Sequence, residues 1–390
     1  LKQKTKRPDE LIRKRARRFK RKRAVERLFF GFARVGSFAF RRRHEGDPER
    51  ILVLERILRI GDSFVNRPAL EALREKYPDA DITVLSDELT APLRLADPWF
   101  DEVLIMPSTT AGVNDYVRRI REGRFGVAYV MGTDRLTSAL PWRAGVPERI
   151  GYDYAGRGFS LTRRIGVPPR VNEPGFVYGP NVPPIHIAQV WLNLVEPGAE
   201  PPTEYPLFDP GEEAREEARK FLAGLGLDEP WSFVVFHPFG ADANYGWVPE
   251  NWRELAALVR HGTGKAVVYT GSLVDRRATA ELTAETKDVN AAGRLSVLAT
   301  VALAGRAAAA VSVDTAMVHI ASTIKTPVVA LYGPGDPVLW GPLGVPHRTL
   351  IHREPCSICK RNKCFQPERY CMESVTVEEV LQNLKEVLYL

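Results

Sequence analysis

The sequence predicts an α/β chain built as two doubly wound halves. Three observations lead there. Short apolar runs alternate with amphipathic stretches, and they do so twice, on either side of a Pro-rich segment at Glu196–Pro210. The chain has 390 residues, more than one compact core usually takes. Polar or Gly-containing turns recur where the apolar runs end, which is where such sheets bind ligands.

Taken in order, the chain opens on a basic arm. Residues 1–50 carry 19 Lys and Arg against 6 Asp and Glu, while the other 340 carry 36 against 42. The basic pI therefore belongs to the arm, and the body is mildly acidic. A helix is expected over about Asp9–Phe30, followed by Phe32, Phe38 and Phe40. Cationic charge beside aromatic anchors suits an anionic membrane surface. A solvated tail ranks second and nucleic acid third; no nucleic-acid partner is expected.

The regular part begins with the strand Ile51–Glu55, a turn through Gly61-Asp62 and a helix over Ser63–Lys76. Strands follow at Asp81–Leu85, Glu102–Met106 and Gly126–Met131, with helices at Glu88–Leu95 and Val113–Glu122 between them. Pro168–Pro184 reads as loop and His186–Val195 as helix. After the linker come helix Glu212–Ala223, strand Ser232–Phe236, helix Asn251–Arg260 and strand Ala266–Thr270. Helices over Asp275–Thr286 and Ser296–Ala304 lead to strands Ala308–Val313 and Val328–Tyr332, which flank a short helix. Thr376–Leu388 is a last amphipathic helix. The apolar fraction is 44%, an ordinary globular value. No uncharged apolar run reaches about 18 residues, so no membrane span is expected. No secretory signal is evident either.

Several strand ends carry chemistry. Asp62 follows the first strand beside Gly61 and is placed to act as a general base, although in isolation a plain helix cap is the first reading. In the second half His237-Pro238-Phe239-Gly240, then Thr270-Gly271-Ser272 with Asp275, then Asp314-Thr315 follow successive strands. Asp314-Thr315 reads as an N-cap, and a helix start after a parallel strand suits a phosphate. His319, five residues on, is expected to face the same crevice. The competing reading is an ordinary crossover with a polar cap. No Walker-type or dinucleotide Gly motif is present.

Four segments together resemble the ADP-heptose–lipopolysaccharide heptosyltransferases, glycosyltransferase family 9. They are ILVLERILRIGDSFVNRPALEALREKYPDADITVL, HPFGADANYGWVPENWREL, YTGSLVDRRA and SVDTAMVHIASTIKTPVVALYGPGDPVLWGP, in that order, within residues 50–390. The resemblance implies a GT-B fold, inversion at the anomeric carbon, a nucleotide-activated sugar such as ADP-heptose, and no catalytic divalent metal. It implies that Asp62 is the base. Donor binding falls to His237, Asn244, Thr270, Gly271, Ser272, Asp275, Asp314, Thr315, Ala316, Met317 and His319. Arg59 and His186 fall on the acceptor side. The implied layout is an arm at 1–48, an acceptor domain at 49–196, a donor domain at 197–345 facing it across a cleft, a four-Cys loop at 346–374, and a helix at 375–390 packing back on the acceptor domain. Two positions depart from the family pattern. Ala316 stands where Gly is usual, and Asn244-Tyr245-Gly246-Trp247 lacks the usual Lys.

All four cysteines fall in one segment, Cys356, Cys359, Cys364 and Cys371, spaced C-x2-C-x4-C-x6-C. Four thiolates from one loop suit a tetrahedral structural metal, zinc before iron. Two disulfides, or four free thiols, are the alternatives; the lack of an export signal argues against disulfides. Autotransporter heptosyltransferases that resemble this family carry iron on a comparable cluster. The combined expectation is a cytoplasmic, peripheral membrane glycosyltransferase acting on a lipid-linked saccharide. A protein-directed heptosyltransferase and a non-catalytic binding protein with a degenerate donor site are the alternatives.

Overall fold

The structure, a computed structural model, describes residues 46–389 apart from 56–58, 108–111, 133–134, 154–156, 167–183, 241–242, 355, 360–363, 365 and 367–369. The basic arm with its expected helix, and nearly all of the loop expected at Pro168–Pro184, lie outside the described residues. The chain forms two compact units. One contains the described residues up to 166 and residues 187–202. The other contains residues 184–186 and everything from Thr203 onward.

The first unit runs β1 (Arg50–Leu54), α1 (Ile60–Val65), α2 (Arg67–Lys76), β2 (Asp81–Asp87), α3 (Ala91–Leu95), β3 (Glu102–Met106), α4 (Val113–Glu122), β4 (Val127–Val130), α5 (Arg135–Ala144), β5 (Glu148–Tyr152), β6 (Arg163–Ile165) and α6 (Ile187–Val195). Its sheet is ordered β3-β2-β1-β4-β5-β6, and every described pairing is parallel. β1 is buried on both faces, as a central parallel strand must be. Ile51 and Val53 face α2 and α6, while Leu52 and Leu54 face α4 and α5. The helix expected over Ser63–Lys76 is two helices. Pro68 has no N–H to return to the preceding turn, so the chain breaks at Asn66 and restarts with Pro68 in the first turn of α2.

The second unit runs α7 (Glu212–Ala223), β7 (Phe233–His237), α8 (Pro249–Thr263), β8 (Ala266–Tyr269), α9 (Arg276–Thr283), β9 (Val289–Asn290), α10 (Val297–Gly305), β10 (Ala309–Val313), α11 (Ala316–Thr323), β11 (Val328–Tyr332), α12 (Pro337–Trp340), β12 (His347–Ile351), α13 (Tyr370–Glu373) and α14 (Val377–Leu388). The sheet order is β12-β11-β10-β7-β8-β9, again parallel. α14 was expected on the first half. Its Val380, Leu384 and Val387 instead belong to the core of the second, against α8 and the sheet. Trp247 Nε1 donates to the Val375 carbonyl at 2.9 Å and ties down the turn that leads into α14.

In each sheet the chain winds outward one way from the first strand, then returns and winds the other way. The reversal falls between β1 and β4 in the first unit and between β7 and β10 in the second. Diverging connections leave a crevice at the carboxyl ends of such strands.

Candidate active site

In the first unit Asp62 lies at that crevice. It is the third residue of α1, which follows β1 directly. Half-buried, its carboxyl is pushed up to about 6. Burial is the main cause; Arg59 opposes it and Glu55 adds to it. A carboxylate with such a value is ionised near neutral pH yet basic enough to take a hydroxyl proton. Arg59, exposed at the N-cap position of α1, acts on Asp62 electrostatically.

In the second unit four strand ends converge. His237 closes β7, and its Nδ1 shares a 2.9 Å hydrogen bond with Thr270 Oγ1 at the end of β8. Burial holds His237 down at about 4, so the ring is neutral at pH 7. Thr315, just past β10, is the N-cap of α11. Its Oγ1 accepts from Met317 N at 3.4 Å and lies 3.0 Å from Ser312 Oγ. Gly240 packs on this turn: a Cβ there would stand 3.2 Å from the Thr315 methyl group. From β11, Gly335 lies against the Asp314 carboxylate so closely that a Cβ would overlap it. Tyr245 borders both glycines. The shelf therefore joins the loop after β7, the Thr270 turn, the start of α11 and the Gly333-Pro334-Gly335 loop. Helix-start N–H groups beside hydroxyls and close main chain suit an anion.

Other expected residues have different surroundings. Asp275 is turned back on its own turn, where Oδ2 accepts from Ser272 N at 2.8 Å and Ser272 Oγ at 2.5 Å. Gly271 packs on Asp275 Cβ, which a side chain would crowd at 3.0 Å. Asn244 is buried in a short 3-10 turn, Ala243–Tyr245. Ala316 is the first residue of α11 and is partly exposed. Met317 is wholly buried, so only its N–H takes part in the turn. His319 was expected to face the crevice but is 4% exposed. Its ring meets Tyr205 edge-on, with Tyr205 Oη 3.4 Å from Nδ1, and tilts against Trp340. Burial, aided by His186, takes His319 down to about 3. It anchors α11 as a neutral core group. His186, expected on the acceptor side, belongs to the second unit, because its Nε2 bonds the Gly341 carbonyl at 2.9 Å. Burial lowers it to about 4.

The four cysteines form no disulfide with one another. Burial, with the charges of Cys359, Cys356 and Cys364, pushes Cys371 up to about 12. The other three therefore act on Cys371 across one loop. Among the described residues no three His, Cys, Asp or Glu side chains stand in metal-ligand geometry. Cys371 and Met372 cover Gly333, so the cysteine loop backs the Gly-Pro-Gly corner of the shelf.

Sequence comparison decides the family. The model of glycosyltransferase family 9 (heptosyltransferase) matches residues 113–369. The chain belongs to glycosyltransferase family 9. It is thus a glycosyltransferase with the GT-B fold of two Rossmann-like domains. It is 26% identical over 347 residues to lipopolysaccharide heptosyltransferase 2 of Escherichia coli K12, covering 84% of this chain and 96% of that one. A family 9 glycosyltransferase structure from Veillonella parvula superposes with a TM-score of 0.73 at 22% identity, over 87% of this chain and 97% of that one. The structure of E. coli ADP-heptose LPS heptosyltransferase II gives a TM-score of 0.70 at 22% identity, over 87% and 98%.

Sequence reading missed Tyr245, Gly333 and Gly335 at the shelf, and Glu55 and Arg94 beneath Asp62. Each left a signal: two glycines around a proline after a buried strand, and single charges inside the apolar runs ILVLE and APLRL.

Proposed function

We propose that this family 9 enzyme transfers heptose from ADP-heptose to a saccharide of the lipopolysaccharide core, with Asp62 as general base. The observation that carries the proposal is Asp62 itself, raised to about 6 at the carboxyl end of the central strand β1. The long relatives that support the sugar and acceptor are E. coli heptosyltransferase 2 by sequence and the ADP-heptose enzyme by fold. In the proposed reaction the acceptor hydroxyl loses its proton to Asp62 as its oxygen bonds the anomeric carbon. The bond from that carbon to the diphosphate oxygen breaks, and the electron pair leaves with the nucleotide. Thr315, the N–H groups opening α11 and the glycine loop stabilise the departing diphosphate. Neutral His237 with Thr270 offers uncharged hydrogen-bonding groups beside it.

Two further roles belong to this reading. The four cysteines would hold a structural metal, zinc before iron, because a cation would relieve the charge that the other three thiolates place on Cys371. The metal would cross-link the loop behind Gly333; no chemical step uses it. The basic, Phe-containing arm would attach the enzyme to the cytoplasmic face of an anionic membrane. Among the described residues no helix is long and apolar enough to cross one.

Calorimetry with ADP, UDP and GDP tests the donor. Selective ADP binding that Asp314→Ala abolishes is expected. Selective UDP or GDP binding would overturn the donor assignment.

A further inference from the structure

Directly beneath α1 lie four ionisable side chains, Glu55, Arg67, Arg94 and Asp97, none more than 5% exposed. Arg94, from α3, is their hub. Its Nη2 donates to Glu55 Oε1 at 2.5 Å, its Nη1 to Asp97 Oδ2 at 2.6 Å, and its Nε also reaches Glu55. The same Nη2 donates to the Ser63 carbonyl and to Asn66 Oδ1, each at 3.0 Å. Asn66 Nδ2 donates back to Glu55. Arg67 pairs with Asp97 and lies 4.4 Å from the centroid of the Trp99 ring.

Two of Arg94's partners belong to the element that carries Asp62. Ser63 is the next residue, and Asn66 is the C-cap of α1. α1 has six residues and no side-chain bond at its N-cap. A helix that short has no stability of its own, so its orientation comes from what it rests on. Stability alone does not explain a buried charge cluster. Desolvation offsets most of the attraction, and apolar replacements of matched size are often neutral or better.

We propose that Glu55 and Arg94 are positioning residues, which hold α1 from below through Ser63 and Asn66 and so fix the place of the Asp62 carboxylate. The inference rests on Asp62 being the base. Glu55 also acts on Asp62 through its charge, which disfavours ionisation, while Arg59 favours it. Of the helices packed on α1, α2 opens with Arg67, already engaged by Asp97, and α6 carries no ionisable residue.

The test uses Glu55→Gln and the paired Glu55→Leu/Arg94→Met in the full chain, with ADP affinity and melting as folding checks. The pair removes one charge of each sign and leaves Arg67–Asp97 intact. The paired variant is expected to melt close to the wild type and bind ADP equally, with kcat at least about tenfold lower and donor KM unchanged. Glu55→Gln is expected to move the acid limb of the kcat/KM profile to lower pH. A merely structural role would leave that limb in place. A folded pair variant with wild-type kcat, or an unmoved limb in Glu55→Gln, overturns the inference; if the pair does not fold, Glu55→Gln decides. Asp62→Asn separates the two levels. Full turnover there overturns the base assignment itself, whereas lost turnover with an unmoved limb in Glu55→Gln overturns only the positioning role.

Discussion

The proposed base Asp62 carries a cost in stability. Its folded value of about 6 exceeds the ordinary aspartate value of 3.8, chiefly through burial. Between those values the native state keeps a proton that the unfolded chain has released. Folding stability therefore falls as pH rises from about 4 to 6, and the deficit persists above. Asp62→Asn should stabilise the first domain at pH 7.5 by about 2 kcal/mol, allowing for partial exposure, and so raise its Tm, while leaving its stability unchanged near pH 3. Equal melting at both pH values would contradict the burial argument. The histidines illustrate the opposite case. His186, His237 and His319 are all held neutral by burial, so none acts as a cation toward phosphate at pH 7. A histidine near a motif reads the same in sequence whether its ring faces solvent or core, and only packing against Tyr205 and Trp340 distinguishes His319.

At the scale of elements, the strands were the most legible part. Glu102–Met106 and Val328–Tyr332 appear with the expected bounds, and the other expected strands lie within two residues of theirs. A run of four to six apolar residues bounded by turn residues suits a strand buried on both faces. Three elements were missed in the first unit. α5 contains Pro141, which breaks the helical signal, and β5 and β6 carry Glu148, Arg149, Arg163 and Arg164 within short runs. α14 was recognised, but neither its Thr376 cap nor its partner was. An amphipathic face says that it will be covered and is silent on by what. The cysteine loop makes an element-scale prediction. Elemental analysis of the full chain should find about one zinc per protein, lost in Cys359→Ser together with a lower Tm. A metal-free wild type, or a variant with undiminished metal, would refute the site.

At the scale of the molecule, each domain brings its candidate site residues to the point where the winding of its sheet reverses. Asp62 follows β1, and the anion-suited shelf spans β11-β10-β7-β8. That placement was legible because polar turns closed apolar runs at Gly61-Asp62, His237–Gly240 and Asp314-Thr315. The layer beneath was not, because Arg94 and Glu55 are brought together across 39 residues by folding. The arm adds a prediction for the whole chain. It should sediment with vesicles containing anionic phospholipid, release in high salt, and lose this binding when residues 1–45 are deleted. Equal binding to zwitterionic vesicles, or retention after deletion, would contradict the membrane role.

The most direct measurement is turnover of ADP-heptose with a lipopolysaccharide-core acceptor by the wild type and Asp62→Asn, with ADP affinity measured on the same samples. The account predicts a loss of at least about 100-fold in kcat with ADP binding unchanged, the scale expected for removing a general base. Wild-type turnover by the Asn variant would contradict it.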